Sequence, residues 1–331
     1  MELARLLLVI ALVLVLHGTE TLGGDAPLVP DYYKETCPPV EDIVRRNVEI
    51  AVLKDPRMAA SLLRMHFHDC FVLGCDASVL LDSQGSMVSE KQAGPNLNSI
   101  RGFEVIDEIK FILEKACPDT VSCADILAIV ARDAVVLRGG PGWNVLLGRR
   151  DSLEASFSGA NQFIPAPNSS LQTLIAKFQQ QGLDVGDLGL LTGSHTMGKA
   201  RCLSFRQRIY DASTIHHDHY KRYTTFRRIL SSICPESGHD NEFAPLDLMT
   251  PARFDNRYYI NILQGEGLLI SDNVLVTQDP EGEIIEQVWA FASNQELFFD
   301  SFANSMVKMG NINVLTGNEG EIRRNCRFVN S

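Results

Sequence analysis

Eight cysteines, all placed behind an apolar leader, constrain this chain more than any other feature. Arg5 precedes an unbroken apolar run, Leu6 to Leu16, and small or polar residues follow up to Gly24. As a helix, that run rises only ~16 Å, about half the thickness of a bilayer core. A basic start, a short apolar stretch and small residues beyond it describe a secretory signal peptide. Thr21 and Gly23 place the cut after Gly23, with Gly18 and Gly24 as less favoured alternatives. Residues 1–23 are then the signal, and residues 24–331 are a soluble, exported chain. Export changes what Cys37, Cys70, Cys75, Cys117, Cys123, Cys202, Cys234 and Cys326 mean. An even count in an oxidising compartment implies four disulfides, and the number alone leaves 105 pairings open. The spacings match neither zinc knuckles nor CxxC redox motifs, and without CxxCH a covalently attached c-type haem is excluded.

The rest of the composition narrows the class. Over 331 residues, 45% are hydrophobic and the net charge is −11. The apolar share supports a sizeable core, and an acidic chain with no basic run offers nothing to phosphate backbones. Nucleic acid is excluded as a partner. Periodicity is mainly helical. Helices are expected from Pro38 to about Val52 and from Arg57 to Asp69 behind an Asp55-Pro56 start. Further helices are expected over Phe103–Ala116, Ser122–Leu137 and Ser169–Gln181, the last ending at Gly182. Later ones fall near Asp184–Thr192, Phe205–Tyr210, Tyr220–Ile233, Asn256–Leu263, Glu281–Ala292 and Gln295–Met309. Strand signal is confined to Asn144–Leu147. The fold class is mostly α, and the length allows one large domain or two.

The stretch Leu62-Leu63-Arg64-Met65-His66-Phe67-His68-Asp69-Cys70 carries the chemistry. Arg64 and His68, four apart, share a helix face. His66 and His68, two apart, diverge by about 200° around the axis and cannot readily chelate one metal. A permanent cation one turn from His68 lowers its pKa and keeps the imidazole neutral, ready to act as a base. The guanidinium can stabilise developing negative charge. The loop that follows offers Asp69, Asp76 and Ser78 as hard oxygen donors around Gly74, a set that suits calcium rather than a softer metal. It is not an EF-hand.

Arg64 to Ser78 resembles the distal motif of the secretory plant haem peroxidases, class III. Leu191-Thr192-Gly193-Ser194-His195-Thr196-Met197-Gly198 is similar to that family's proximal motif. Val121–Asp125, Gly148–Ser152 and Phe254–Tyr259 also match, so the resemblance runs from about Tyr32 to Asn330. It implies a single domain, residues 24–331, of two helical lobes with one non-covalent haem b between them, ligated by His195. Asp272 would accept a hydrogen bond from that ligand. His68 would be the proton acceptor, Arg64 the transition-state stabiliser and Asn96 the residue that fixes the His68 tautomer. Glu90 would link this network to calcium, and Phe67 would line the haem pocket, where intracellular relatives carry Trp. The Pro165 carbonyl would receive a phenolic donor.

Two calcium ions are implied as well. One would be held by Asp69, Asp76 and Ser78 with the carbonyls of Val72 and Gly74. The other would be held by Thr196, Asp247, Thr250 and Asp255 with the Arg253 carbonyl. Family pairing gives Cys37–Cys117, Cys70–Cys75, Cys123–Cys326 and Cys202–Cys234. The implied activity is reduction of hydrogen peroxide with one-electron oxidation of phenols, by a monomer in the apoplast or cell wall. Leu73 and Met197 depart from the usual residues of the two motifs, in the distal loop and at the proximal haem face. Asn168-Ser169-Ser170 is both an N-glycosylation sequon and a helix-start signal. His216-His217-Asp218-His219 reads as a solvated surface run.

Overall fold

The structure is a computed structural model that describes residues 27–210 and 221–331. The expected signal peptide and the His216–His219 run lie outside the described residues.

Helix α1 (Val40–Lys54) buries Val40, Val44, Val48 and Val52, one residue per turn on a single face. Helix α2 (Met58–Cys70) follows a turn in which the Asp55 carboxylate accepts the Arg57 N–H at 3.0 Å. This moves the helix start one residue beyond the expected Arg57. Helix α3 (Phe103–Ala116) has the expected bounds and buries Ile106, Ile109 and Leu113. Helix α4 (Cys123–Leu137) is N-capped by Ser122, whose hydroxyl accepts the Asp125 N–H. It is buried nearly all round because α1, α2 and α3 all pack on it.

Next come α5 (Phe157–Phe163), α6 (Leu171–Gln180) and α7 (Val185–Leu191), the last opened by a capping box between Asp184 and Asp187. After these lie α8 (Cys202–Tyr210), α9 (Lys221–Ile233), α10 (Arg257–Leu263) and α11 (Ile270–Thr277). Helices α12 (Glu283–Ser293) and α13 (Gln295–Gly310) are the last among the described residues. One apolar core joins α1–α4 to α6, α7, α10, α12 and α13. A smaller cluster of Phe205, Phe226, Leu230, Ala244 and Leu268 lies beneath α8 and α9.

Two helices were not expected. Helix α5 is seven residues of Ser, Gly, Asn and aromatics, with no apolar period to announce it. Helix α11 hides in the run Leu268-Leu269-Ile270, and only the Asp272 carboxylate, accepting the Leu269 N–H at 2.9 Å, marks its start. The expected strand at Asn144–Leu147 is not a strand. Leu147 makes one antiparallel bridge to Val29 and no ladder. The sheet among the described residues is instead a two-stranded antiparallel pair, β1 (Lys199–Arg201) with β2 (Phe243–Pro245), in register Ala200 opposite Ala244.

The structure pairs Cys37 with Cys117, Cys70 with Cys75, Cys123 with Cys326 and Cys202 with Cys234, leaving no free cysteine. Two of the recognised motifs prove to be scaffold. The buried Asp125 carboxylate accepts the Tyr33 hydroxyl at 2.7 Å, the Gly148 N–H at 2.7 Å and Arg149 Nη1 at 2.8 Å. Asp151 accepts the N–H groups of Ala124 and Arg323, each at 2.9 Å. A carboxylate this deeply buried is tolerable only when its lone pairs are filled in this way.

Candidate active site

Helix α2 sets Arg64 and His68 one turn apart, and a single segment, Pro95–Ser99, holds both. His68 is buried, with Nδ1 2.5 Å from Asn96 Oδ1. An amide oxygen only accepts, so this contact puts the proton on Nδ1 and leaves Nε2 with a free lone pair. The assignment depends on the Asn96 amide orientation, which is fixed because its Nδ2 donates to the Glu90 main-chain carbonyl at 2.8 Å. Arg64 Nη2 donates to the Pro95 carbonyl at 2.9 Å and to Ser99 Oγ at 3.2 Å. No sequence signal pointed to Ser99.

Burial first, and then the charge on Arg64, hold the His68 pKa well below the ordinary imidazole value, with the Asn96 contact opposing them. His68 is therefore neutral at physiological pH. Burial, with Arg201 and Arg57 nearby, lowers Arg64 to about 10, so it stays cationic at neutral pH. Phe67 packs edge-on to His68, with ring centroids 5.4 Å apart. Glu90 serves Asn96 through its backbone rather than its carboxylate, which accepts the Ser156 N–H at 3.0 Å.

His195 lies on a 3-10 turn, Thr192–Thr196. Its Nδ1 is 2.7 Å from Asp272 Oδ1, a carboxylate only 2% exposed, while the His195 side chain is 35% exposed. Nε2 is thus the open side of the ring, oriented by a buried acceptor in the way metal-bound histidines commonly are. Gly193 permits the turn to sit where it does. A Cβ there would fall 2.5 Å from the Tyr259 hydroxyl and 2.8 Å from Phe298. The two histidine constellations adjoin: Gly198, with φ +108, packs so closely on α2 that its Cβ would lie 3.0 Å from the Ala60 Cβ.

Beside each histidine lies an oxygen-rich cluster. Asp69, Asp76 and Ser78 are all buried, with Glu90 close enough for its charge to be felt. Ser78 Oγ and Glu90 Oε2 have no protein partner. Burial first, then mutual repulsion, pushes Asp69 well above the usual carboxylate range. Burial likewise raises Asp76 to about 6 and Glu90 to about 8. Two buried aspartates beside an unpartnered hydroxyl, Ser78 Oγ, and an unpartnered carboxylate oxygen, Glu90 Oε2, fit a hard cation.

In the second cluster, Thr196 Oγ1 donates to Asp255 Oδ1 at 3.1 Å. Thr250 Oγ1 donates to Asp247 Oδ2 at 3.0 Å and to Asp255 Oδ1 at 3.3 Å. Arg253 sits at its edge, with Nε 3.9 Å from Asp255. His66, Cys70 and Cys75 also converge, but the two sulfurs are bonded to each other and hold no metal.

The distal loop is shaped by Gly74, at φ +140, where a Cβ would strike the Asn313 carbonyl and lie 2.8 Å from the Asn313 Cβ. Backbone strain and this clash are expected to make Gly74→Ala about 2 kcal/mol less stable or worse. Denaturant unfolding checks this; an unchanged midpoint would contradict it. The Pro165 segment is tied to α11, since the Ser271 N–H donates to the Pro167 carbonyl at 3.0 Å. No backbone amide of the described residues donates to the Pro165 carbonyl. Ser170 does cap α6, and Asn168 is exposed, so the sequon and the helix start coexist.

Comparison with known proteins agrees with this geometry. A family model described as peroxidase matches residues 44–294. The chain is 64% identical over 335 residues to "Peroxidase 20" of Arabidopsis thaliana, covering 100% of both chains. It is 53% identical to "Peroxidase 72" of the same plant, over 94% of this chain and 92% of that protein. "Peroxidase 9" is 54% identical, over 93% and 90% respectively. The chain belongs to the class III plant peroxidases, oxidoreductases that use a haem and take hydrogen peroxide as acceptor.

Proposed function

We propose that this is a secreted peroxidase that reduces hydrogen peroxide to water at one non-covalent haem b and oxidises small phenols one electron at a time. Its setting would be the apoplast or cell wall. The observation that carries this reading is the pairing of two oriented histidines: His68 fixed by Asn96, and His195 fixed by Asp272. Bound haem would supply the iron at which peroxide reacts and the redox equivalents for donor oxidation.

The chain's own residues do the rest. His195 would hold the haem iron through Nε2, and Asp272, by accepting a hydrogen bond from the Nδ1–H, would make that ring more electron-rich. His68 Nε2 takes a proton from one peroxide oxygen and hands it to the other, which leaves as water. Its neutral state and fixed tautomer suit that transfer. The Arg64 cation stabilises the negative charge that builds as the O–O bond breaks. The Pro165 carbonyl is available to accept a phenolic O–H.

Two calcium ions would bind in the oxygen clusters. The first would use Asp69, Asp76 and Ser78 with the Val72 and Gly74 carbonyls. The second would use Thr196, Asp247, Thr250 and Asp255 with the Arg253 carbonyl. Asp69 directly follows His68, and Thr196 directly follows His195, so each ion would fix the backbone beside one histidine. Secretion rests on the expected leader, residues 1–23, and no helix of the described residues is long and apolar enough to cross a membrane. The protein would act as a monomer, and the exposed Asn168 can accept a glycan.

Donor choice is tested by comparing peroxide-dependent oxidation of guaiacol with that of reduced cytochrome c. Rapid turnover of the phenol and little of the protein donor is expected. The reverse preference would overturn the phenolic assignment.

A further inference from the structure

His195 stands at one end of an unbroken run of packed rings. From its imidazole, centroids step 6.2 Å to Tyr258, 5.2 Å to Tyr259 and 4.9 Å to Phe298. They continue 5.6 Å to Phe302 and 6.2 Å to Trp143. Phe254 provides a parallel lane, 5.6 Å from Phe298 and 4.8 Å from Phe302. The interior rings are buried, and Trp143 is half-buried at the outer end. Two glycines press the backbone onto this ladder: Gly193 on Tyr259 and Phe298, and Gly140, whose Cβ would fall 2.5 Å from Phe254. At the inner end the Tyr258 hydroxyl donates to Asp272 Oδ1 at 3.4 Å, so the phenol has a carboxylate beside it to receive its proton. Trp289, the other tryptophan, is 58% exposed, and no ring contact among the described residues joins it to the ladder.

We propose that this ladder is a second outlet for oxidising equivalents, ending at Trp143, where an electron-rich aromatic donor can be oxidised without entering the haem cleft. The proposal rests on His195 being the haem ligand. In each passage Tyr258 gives one electron to the peroxide-oxidised haem and its phenolic proton to Asp272. An electron from Trp143, crossing Phe302, Phe298 and Tyr259, then restores Tyr258, which takes its proton back. The phenylalanines are too hard to oxidise and serve as the packed medium across which the electron tunnels. The indole N–H proton of Trp143 leaves to water, and a donor at the surface returns Trp143 to its resting state. With no donor present, two successive electron losses and attack by water leave Trp143 heavier by one oxygen. The two electrons account for the reduction of one hydrogen peroxide.

The chain contains two tryptophans, and this supplies an internal control. The haem-loaded protein is treated with equimolar peroxide and no donor, and its peptides are weighed. A diffusing oxidant would mark the more exposed Trp289, whereas the ladder marks Trp143. Oxygen on Trp143 several-fold above that on Trp289 is expected, together with a tyrosyl signal in freeze-quenched electron paramagnetic resonance spectra. Tyr258→Phe should abolish that signal and most of the Trp143 labelling. If Tyr258→Phe fails to hold haem, Phe302→Leu, remote from the cleft, carries the test by removing the last ring contact. Its haem spectrum should still respond to peroxide, while Trp143 labelling falls several-fold. Labelling led by Trp289, absent from both tryptophans, or unchanged in Phe302→Leu overturns the proposal. Loss of the haem response itself would count against the peroxidase site rather than against the ladder.

Discussion

Replacing His68 by alanine is expected to slow the reaction with hydrogen peroxide by about 10²–10⁴-fold while haem stays bound, the range that positioned acid–base groups usually contribute. The expectation follows from where the proton sits. Asn96 Oδ1 occupies the Nδ1 side at 2.5 Å, so Nε2 is the side open for proton transfer. Burial and Arg64 keep the ring unprotonated at neutral pH, ready to accept a proton. Arg64 alone cannot replace it, because a guanidinium stabilises charge and does not accept protons near neutral pH. Asn96→Ala should cost less than His68→Ala, since the base remains and only its tautomer and orientation are released. Stopped-flow mixing with peroxide measures both. A His68→Ala variant that reacts within a few-fold of the parent would show that the proton goes elsewhere.

Removing calcium with a chelator should destabilise the protein increasingly as the pH rises. Within the protein alone, Asp76 is held at about 6 and Glu90 at about 8, with Asp69 also raised. Unfolded carboxyls titrate near ~4. The folded chain therefore retains protons that the unfolded chain has already released. The contribution of these groups is fully present below the unfolded value and is lost as the pH climbs through about 6 and then about 8. Leaving buried carboxylates charged and unpaired costs on the order of 3–5 kcal/mol. A bound divalent cation removes the penalty by pairing with them. The chelated protein should thus melt at a lower temperature at about pH 7.5 than at about pH 5.5, and added calcium should erase most of the difference. Melting curves at both values, with and without calcium, decide this. A melting temperature indifferent to chelator and pH would remove the basis for the distal site.

The sequence made the helices legible wherever an apolar period and a cap coincided. In α4, α6 and α7 the caps and buried faces agree with the pattern because local and tertiary preferences point the same way. It failed where one of the two was silent. Helix α5 lacks apolar periodicity, and α11 carries too continuous an apolar run for its period to show. The β1–β2 pair joins segments more than forty residues apart, so no local alternation could announce it. At Asn144–Leu147 alternation exists, but only Leu147 finds a partner.

For the active site, Arg64 and His68 were readable from helical spacing. His195 and Asp272, 77 residues apart in sequence, were not pairable without the family motif. Ser99 and the Glu90 main-chain carbonyl act through contacts that leave no mark in residue type. The ring ladder is likewise invisible in sequence, because its members come from the loop before α5 and from α10 and α13, and they meet only in the packed core.

The most direct test of the account is an absorption spectrum of the purified protein after supply of haem, before and after hydrogen peroxide. A strong Soret band that shifts on adding peroxide and returns when a phenol is added is expected, with the band itself lost in His195→Ala. A protein that remains colourless with haem supplied, or whose Soret band ignores peroxide, would contradict it.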